Sequence, residues 1–210
     1  MSDSTCKPST KKNKLSAEAA LKRLKAGNKR FLGHDPVNYP TKNERADFAY
    51  GQQPYAAILS CADSRVSPEI MFNAGLDELF VIRVAGNIAT TEAIASIEYA
   101  VANLNTNLIA VIGHECCGAV DAALKNADNT LDLGYNLNSL LGHLSPAVVS
   151  ANKKKGFEKN PLTTTIKENA KLTAKELRTR SPIIAKTRGV KIVSCFYHLI
   201  SGKVDFSTLS

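Results

Sequence analysis

Apolar and polar positions along the chain fall into blocks that read as strand, loop, helix and strand again. Tyr55-Ala56-Ala57-Ile58-Leu59-Ser60 is an almost uninterrupted apolar run, the pattern of a strand buried on both faces. Residues 78–84, 108–113 and 190–197 repeat that pattern. Between these runs the apolar period lengthens to that of a helix. Leu21, Leu24, Asn28 and Phe31 share one stripe behind Ser16, a plausible cap, and Ile94, Ile97, Val101 and Leu104 share another within residues 90–104. Pro68 opens a short helix, and residues 118–126, 137–152 and 160–180 read as further helices, with a break at 153–156. Ser201-Gly202-Lys203 turns the last strand back towards Val204-Asp205-Phe206 as a hairpin. Residues 34–54, with three prolines, read as an extended arm or loop. The alternation predicts an α/β fold: a central, mostly parallel β-sheet flanked by helices, with right-handed crossovers and an amino-terminal helical arm.

Length and composition narrow the picture without changing it. A chain of 210 residues, 44% hydrophobic and 22% charged, fits one soluble globular domain with a substantial core. Residues 1–14 are polar and basic and read as a disordered tail, leaving residues 15–210 as a single domain. No apolar run approaches bilayer-spanning length, and the first residues have no apolar core of a secretory signal. The formal charge of +8 is spread over the chain, with clusters only at Lys11-Lys12-Asn13-Lys14 and Lys153-Lys154-Lys155. These read as solvated tails and loops rather than a surface for nucleic acid or membrane. Five cysteines without regular close spacing argue against a disulfide framework and for a reducing, cytoplasmic setting.

The chemistry collects where two strands end. The run at 55–60 leads into Cys61-Ala62-Asp63-Ser64-Arg65, and the run at 108–113 into His114-Glu115-Cys116-Cys117-Gly118. Strands of a parallel sheet that end in thiol and imidazole groups suggest one site at the carboxyl edge, where open α/β sheets place their ligands. Thiolate and imidazole suit zinc. Cys61, His114 and one of Cys116 and Cys117 supply three ligands, leaving a fourth position open. Taken singly, each residue has a blander reading. Cys61 would be a buried structural cysteine, and Asp63 with Arg65 an ion pair at a strand end.

Four stretches together raise the site above those readings. They are Ser60-Cys61-Ala62-Asp63-Ser64-Arg65-Val66, Arg83-Val84-Ala85-Gly86-Asn87, Ser96-Ile97-Glu98-Tyr99-Ala100-Val101, and Gly113-His114-Glu115-Cys116-Cys117-Gly118-Ala119-Val120. In order and spacing the chain resembles the β-class carbonic anhydrases from about residue 16 to about residue 206. The resemblance implies one zinc ion per chain on Cys61, His114 and Cys117, and reversible hydration of carbon dioxide to bicarbonate by zinc-bound hydroxide. It assigns Asp63 to orient that hydroxide and Arg65 to hold Asp63. In part of the family the aspartate instead takes the fourth zinc position at lower pH. The resemblance brings Gln52 into the substrate pocket of a neighbouring subunit; Gly118, at the start of a helix, reads as offering its N–H to a substrate oxygen. The resemblance also implies a homodimer or dimer-based tetramer in which the amino-terminal helix packs on a neighbouring subunit; the other reading is a helix lying on its own domain.

Some residues depart from the family pattern. Ile58 stands where members with a bicarbonate-regulated pocket carry Trp, which puts that control in doubt. Arg83 reads either as structural or as an anion ligand in such a pocket, and Gly86 and Asn87 as a turn. Cys116 reads as a small buried residue, and His198 stands where relatives often carry Asp. His34 and His143 read as ordinary surface or core residues. Two other functions fit the same ligands: hydrolysis of carbon disulfide or carbonyl sulfide, and a non-catalytic zinc-stabilised scaffold.

Overall fold

In the computed structural model, residues 15–37, 39–128, 130 and 132–208 are described; the expected basic tail and Cys6 lie outside them. Five strands form one sheet: β1 (Ala56–Ser60), β2 (Leu79–Arg83), β3 (Leu108–His114), β4 (Lys191–Tyr197) and β5 (Val204–Thr208). Their order is β2-β1-β3-β4-β5, parallel except for the antiparallel pair β4–β5. The two central parallel strands, β1 and β3, are buried along their whole length, as their unbroken apolar runs require.

Helices cover both faces. Ile58, Leu108, Ala110 and Ile112 face α1 (Ala17–Leu32), whose Ala20, Leu21 and Leu24 join them in one cluster with Met71 and Phe72 of the short α3 (Pro68–Met71) region. Ala57, Leu59, Ile109 and Val111 face the other way, against Ile94 and Ile97 of α4 (Thr91–Asn103) and Ala170 and Leu177 of α7 (Pro161–Arg180). Alternate residues of one strand thus feed two cores. The helices α5 (Gly118–Lys125) and α6 (Tyr135–Asn152) pack at the carboxyl edge of the sheet around Cys61, Cys117 and Phe196.

The amino-terminal helix is present as expected. Its apolar stripe lies on its own domain: Ala20 and Leu24 are fully buried in the single chain. Gly27 makes this possible, since a Cβ there would lie 2.0 Å from the carbonyl oxygen of Phe72. Asn28, polar within the stripe, completes the joint. Its amide donates to the carbonyls of Met71 and Gly202, and its oxygen accepts from the N–H of Val204.

Two helices go beyond the sequence reading. Residues 42–48 form α2 (Lys42–Phe48) inside the expected arm, started by a reciprocal cap between Thr41 and Glu44. Ser181 caps α8 (Pro182–Lys186) through the N–H of Ile184. No residue of α2 is buried, so the arm still lacks a surface of its own to cover. Among the described residues no helix is long and apolar enough to cross a membrane.

Candidate active site

The end of β1 releases the chain into a tight loop. Cys61 follows directly, and the loop closes when the N–H of Val66 donates to the carbonyl of Asp63 at 3.0 Å. The end of β3 places His114 as its last residue, and Cys117 sits at the amino-terminal cap of α5. Because β1 and β3 are adjacent and parallel, both ligand loops emerge at the same edge. One ligand atom from each of Cys61, His114 and Cys117 lies within 4.8 Å of the other two, and all three residues are buried. Zinc bonds of about 2.0–2.3 Å set tetrahedral ligands roughly 3.3–3.8 Å apart, so a small contraction closes the trio on an ion.

The environment of each ligand fits a cation. His114 Nδ1 lies 2.9 Å from the carbonyl oxygen of Glu115, so that nitrogen carries the hydrogen and donates. Nε2 is left with its lone pair, buried and without a hydrogen-bond partner. Leaving such an atom unmatched costs about 1–3 kcal/mol, which a metal ion in the trio removes. The Cys61 sulfur accepts from the N–H of Gly86 at 3.3 Å. The Cys61 thiol is pushed down to about 4, mainly by the thiol of Cys117, with help from His114 and the N–H groups of Asp63 and Gly86. Cys117 is pushed up by its hydrogen bond to Cys61, by burial and by the neighbouring thiolate charge. A divalent cation held by Cys61, His114 and Cys117 would reverse that second shift, because metal ligation requires both thiolates. Ile88, Val120, Leu144 and Phe196 pack around the sulfurs and keep them from water.

Asp63 stands beside this group, with Oδ2 3.9 Å from His114 Nε2. Arg65 grips it at both oxygens: Nε donates to Oδ1 at 2.9 Å and Nη2 to Oδ2 at 2.7 Å. The N–H of Arg65 adds a third bond to Oδ1. These contacts, the side-chain bonds first, hold the Asp63 carboxyl well below the usual carboxylate range. Arg65 also reaches the second ligand loop, donating to the carbonyl of Cys116 at 3.2 Å.

Gly118 opens α5 on the exposed side of Cys117, with nothing within 4 Å of where a Cβ would stand. Gln52 is the one sequence-assigned residue that is not brought to this edge. It precedes β1 and lines a cavity at the opposite, amino edge, with Arg23, Tyr55 and Glu78. Cys116 also departs from expectation: it is exposed, not buried. Its φ of 54° turns the loop so that Cys117 faces inwards and Cys116 outwards.

Sequence motifs did not point to three further contacts. Gly86 touches the Cys61 sulfur from a turn in which its own φ is 72°. Arg83 bonds the carbonyls of Cys61 and Asp63. His198 pairs with Asp205 at 2.8 Å across the β4–β5 hairpin. The first two belong to a stretch singled out beforehand, but which atoms it holds is a matter of tertiary structure.

A mostly parallel sheet with two cysteines and a histidine at its carboxyl edge, beside an arginine-held aspartate, fits what the sequence resemblance to the β-class carbonic anhydrases implied. The comparisons agree. The family model described as carbonic anhydrase matches residues 56–204. Carbonic anhydrase 2 of Mycobacterium tuberculosis is 46% identical over 134 residues, covering 62% of this chain and 64% of that protein. The matched stretch therefore spans a little under two thirds of that relative. A carbonic anhydrase of Mycolicibacterium smegmatis is 35% identical over 192 residues, 89% of this chain and 91% of the relative. Among solved structures, a tetrameric β-carbonic anhydrase of Sordaria macrospora superposes with a TM-score of 0.67 at 25% identity, covering 77% of this chain and 84% of the other. The chain belongs to the β-class carbonic anhydrase family.

Proposed function

We propose that this chain reversibly hydrates carbon dioxide to bicarbonate and a proton, using one zinc ion held by Cys61, His114 and Cys117. The observation that carries the reading is the buried trio of ligand atoms with the Asp63–Arg65 pair beside it. Zinc bound there supplies a Lewis acid that makes a water molecule easier to ionise at neutral pH.

The residues of the chain do the rest. Asp63, kept ionised, is only a hydrogen-bond acceptor. It would accept a hydrogen bond from the attacking oxygen, whose own hydrogen stays in place, so that a lone pair faces the substrate carbon. Arg65 stops the carboxylate from rotating, because both oxygens are already engaged. The N–H of Gly118, at the start of α5, donates to a substrate oxygen as negative charge grows on it. Gln52 of the partner subunit completes the pocket in a homodimer or dimer-based tetramer. The catalytic unit is the single domain of residues 15–210, in a cytoplasmic, reducing setting suited to thiolate ligands.

Stopped-flow hydration of carbon dioxide by metal-loaded protein tests the reading, with carbon disulfide and carbonyl sulfide offered to the same preparation. Rapid bicarbonate formation supports it. Turnover of the sulfur substrates alone would replace it with the hydrolase reading, and a zinc-loaded protein inert to all three with the scaffold reading.

A further inference from the structure

The arginine that ends β2 has its guanidinium directed at the first ligand loop. Arg83 pairs in register with Ser60, one residue before Cys61. From there its side chain reaches past the end of β1. Nε donates to the carbonyl of Cys61 at 3.1 Å, and Nη2 to the carbonyl of Asp63 at 2.7 Å. Three residues later the N–H of Gly86 meets the Cys61 sulfur. The segment after β2 therefore holds the loop at three points: the main chain on either side of Ala62, and the thiol itself. Arg65, within the same loop, holds it through the Asp63 carboxylate.

We propose that Arg83 is a positioning residue: its guanidinium fixes the backbone of residues 61–63, and so sets the direction of both the Cys61 sulfur and the Asp63 carboxylate. Only a planar fork spans two carbonyls two residues apart with two aligned N–H groups; the ammonium of Lys is a point donor without that geometry. Without the fork, the carbonyl of Cys61 loses its side-chain donor and that of Asp63 keeps only the N–H of Val66. The loop then samples orientations in which Asp63 no longer faces His114 Nε2. The inference rests on the carbonic anhydrase reading for its kinetic consequence, but not for its structural one.

Arg83→Met and Arg83→Lys test it, each loaded with cobalt(II) in place of zinc. The visible absorption of cobalt reports the arrangement of its ligands, whether or not the protein turns over carbon dioxide. Arg83→Met should shift that spectrum and lower kcat about tenfold to a hundredfold, the usual cost of a misplaced group, with KM changed less than about twofold. Arg83→Lys keeps the charge and the stem and should fall between wild type and Arg83→Met; it also serves if the Met variant fails to fold. A lower thermal midpoint with an unchanged cobalt spectrum and unchanged kcat would overturn the proposal and leave Arg83 a purely structural residue. If the wild type does not hydrate carbon dioxide, the functional reading fails, while the cobalt spectra still decide the role of Arg83.

Discussion

At the carboxyl edge of the sheet, Arg83 and Gly86 hold Cys61 and the main chain of Asp63 from another strand end, while Arg65 and the Glu115 carbonyl fix the Asp63 carboxylate and His114 from close by in the chain. At the amino edge, Gln52 lines a cavity of about 1090 Å3 bordered by α2, a helix with no buried residue. The two edges are separated by the length of β1, roughly 20 Å from Tyr55 to Cys61 at about 3.3 Å per residue. Gln52 therefore cannot serve the ligand site of its own chain without unravelling the strand between them. The contrast separates what one chain completes alone from what the proposed dimer would add. Orienting a nucleophile requires groups fixed to a fraction of an ångström, and a single rigid sheet edge provides that. The arm has capped its helix but covers little apolar surface, so its position carries no comparable constraint.

The largest expected effect breaks the carboxyl edge outright. Cys61→Ser exchanges a thiolate for a hydroxyl and should lose its metal and more than about 100-fold in activity, beyond the usual cost of disturbing a group behind a ligand. Metal analysis after dialysis measures this. Retention of one zinc per chain would move the ligand site elsewhere.

A steric change behind the site should be next. At Gly113, just before His114, a Cβ would lie 2.8 Å from Ile166 Cγ2 and 3.1 Å from the Ile166 carbonyl. Gly113→Ala should cost about 1–3 kcal/mol in a thermal or denaturant melt, the range for overpacking a tight core. No loss of stability would mean that α7 does not press on β3 as described.

The amino edge should respond only through a partner. Gln52→Ala should keep its metal and its thermal midpoint, and lose about tenfold in activity, as for one hydrogen bond to substrate. Subunits carrying Gln52→Ala mixed with subunits carrying Cys61→Ser sharpen the point. In a mixed dimer, one site takes its ligands from the first chain and Gln52 from the second, and is whole. Activity above the mean of the two parent dimers supports the shared site, and activity at that mean contradicts it.

The smallest effect lies on the β4–β5 hairpin. The Asp205 carboxyl is lowered by Lys203 and then by His198. A lowered carboxylate stabilises the fold above its unfolded pKa, and that contribution disappears as pH falls through the folded value. Asp205 is partly exposed, so solvent screens its pairs and Asp205→Asn should cost under about 1 kcal/mol at neutral pH. The difference in thermal midpoint from wild type should vanish in acid. A difference that persists there would mean that packing, not charge, holds the hairpin.

The parts legible in the sequence are those set by local pattern. Unbroken apolar runs marked β1 and β3, Ser16 and Thr90 marked the starts of their helices, and the Cys61 and His114–Cys117 segments marked the site, because spacing along a strand end translates directly into position. The reciprocal Thr41–Glu44 cap was equally local, yet the prolines around it pointed to an extended arm. Cys116 was misread because apolar character suggests burial, while a residue at φ 54° beside an inward-facing ligand is turned out. The seat of α1 on its own domain depended on Gly27 meeting the Phe72 carbonyl, 45 positions away, which no periodicity reports. The contacts of Arg83, Gly86 and His198 were hidden for the same reason: a side chain that bonds a distant backbone atom leaves no mark on the spacing of its neighbours.

The central claim is that the carboxyl edge is a zinc site whose chemistry depends on Asp63. Zinc content and carbon dioxide hydration, measured on the same preparations of wild type and Asp63→Asn, test it most directly. The account predicts one zinc per chain in both and a loss of at least about 100-fold in kcat in the variant, as for removing a group that acts in the transition state. Zinc-loaded Asp63→Asn with wild-type kcat would contradict it.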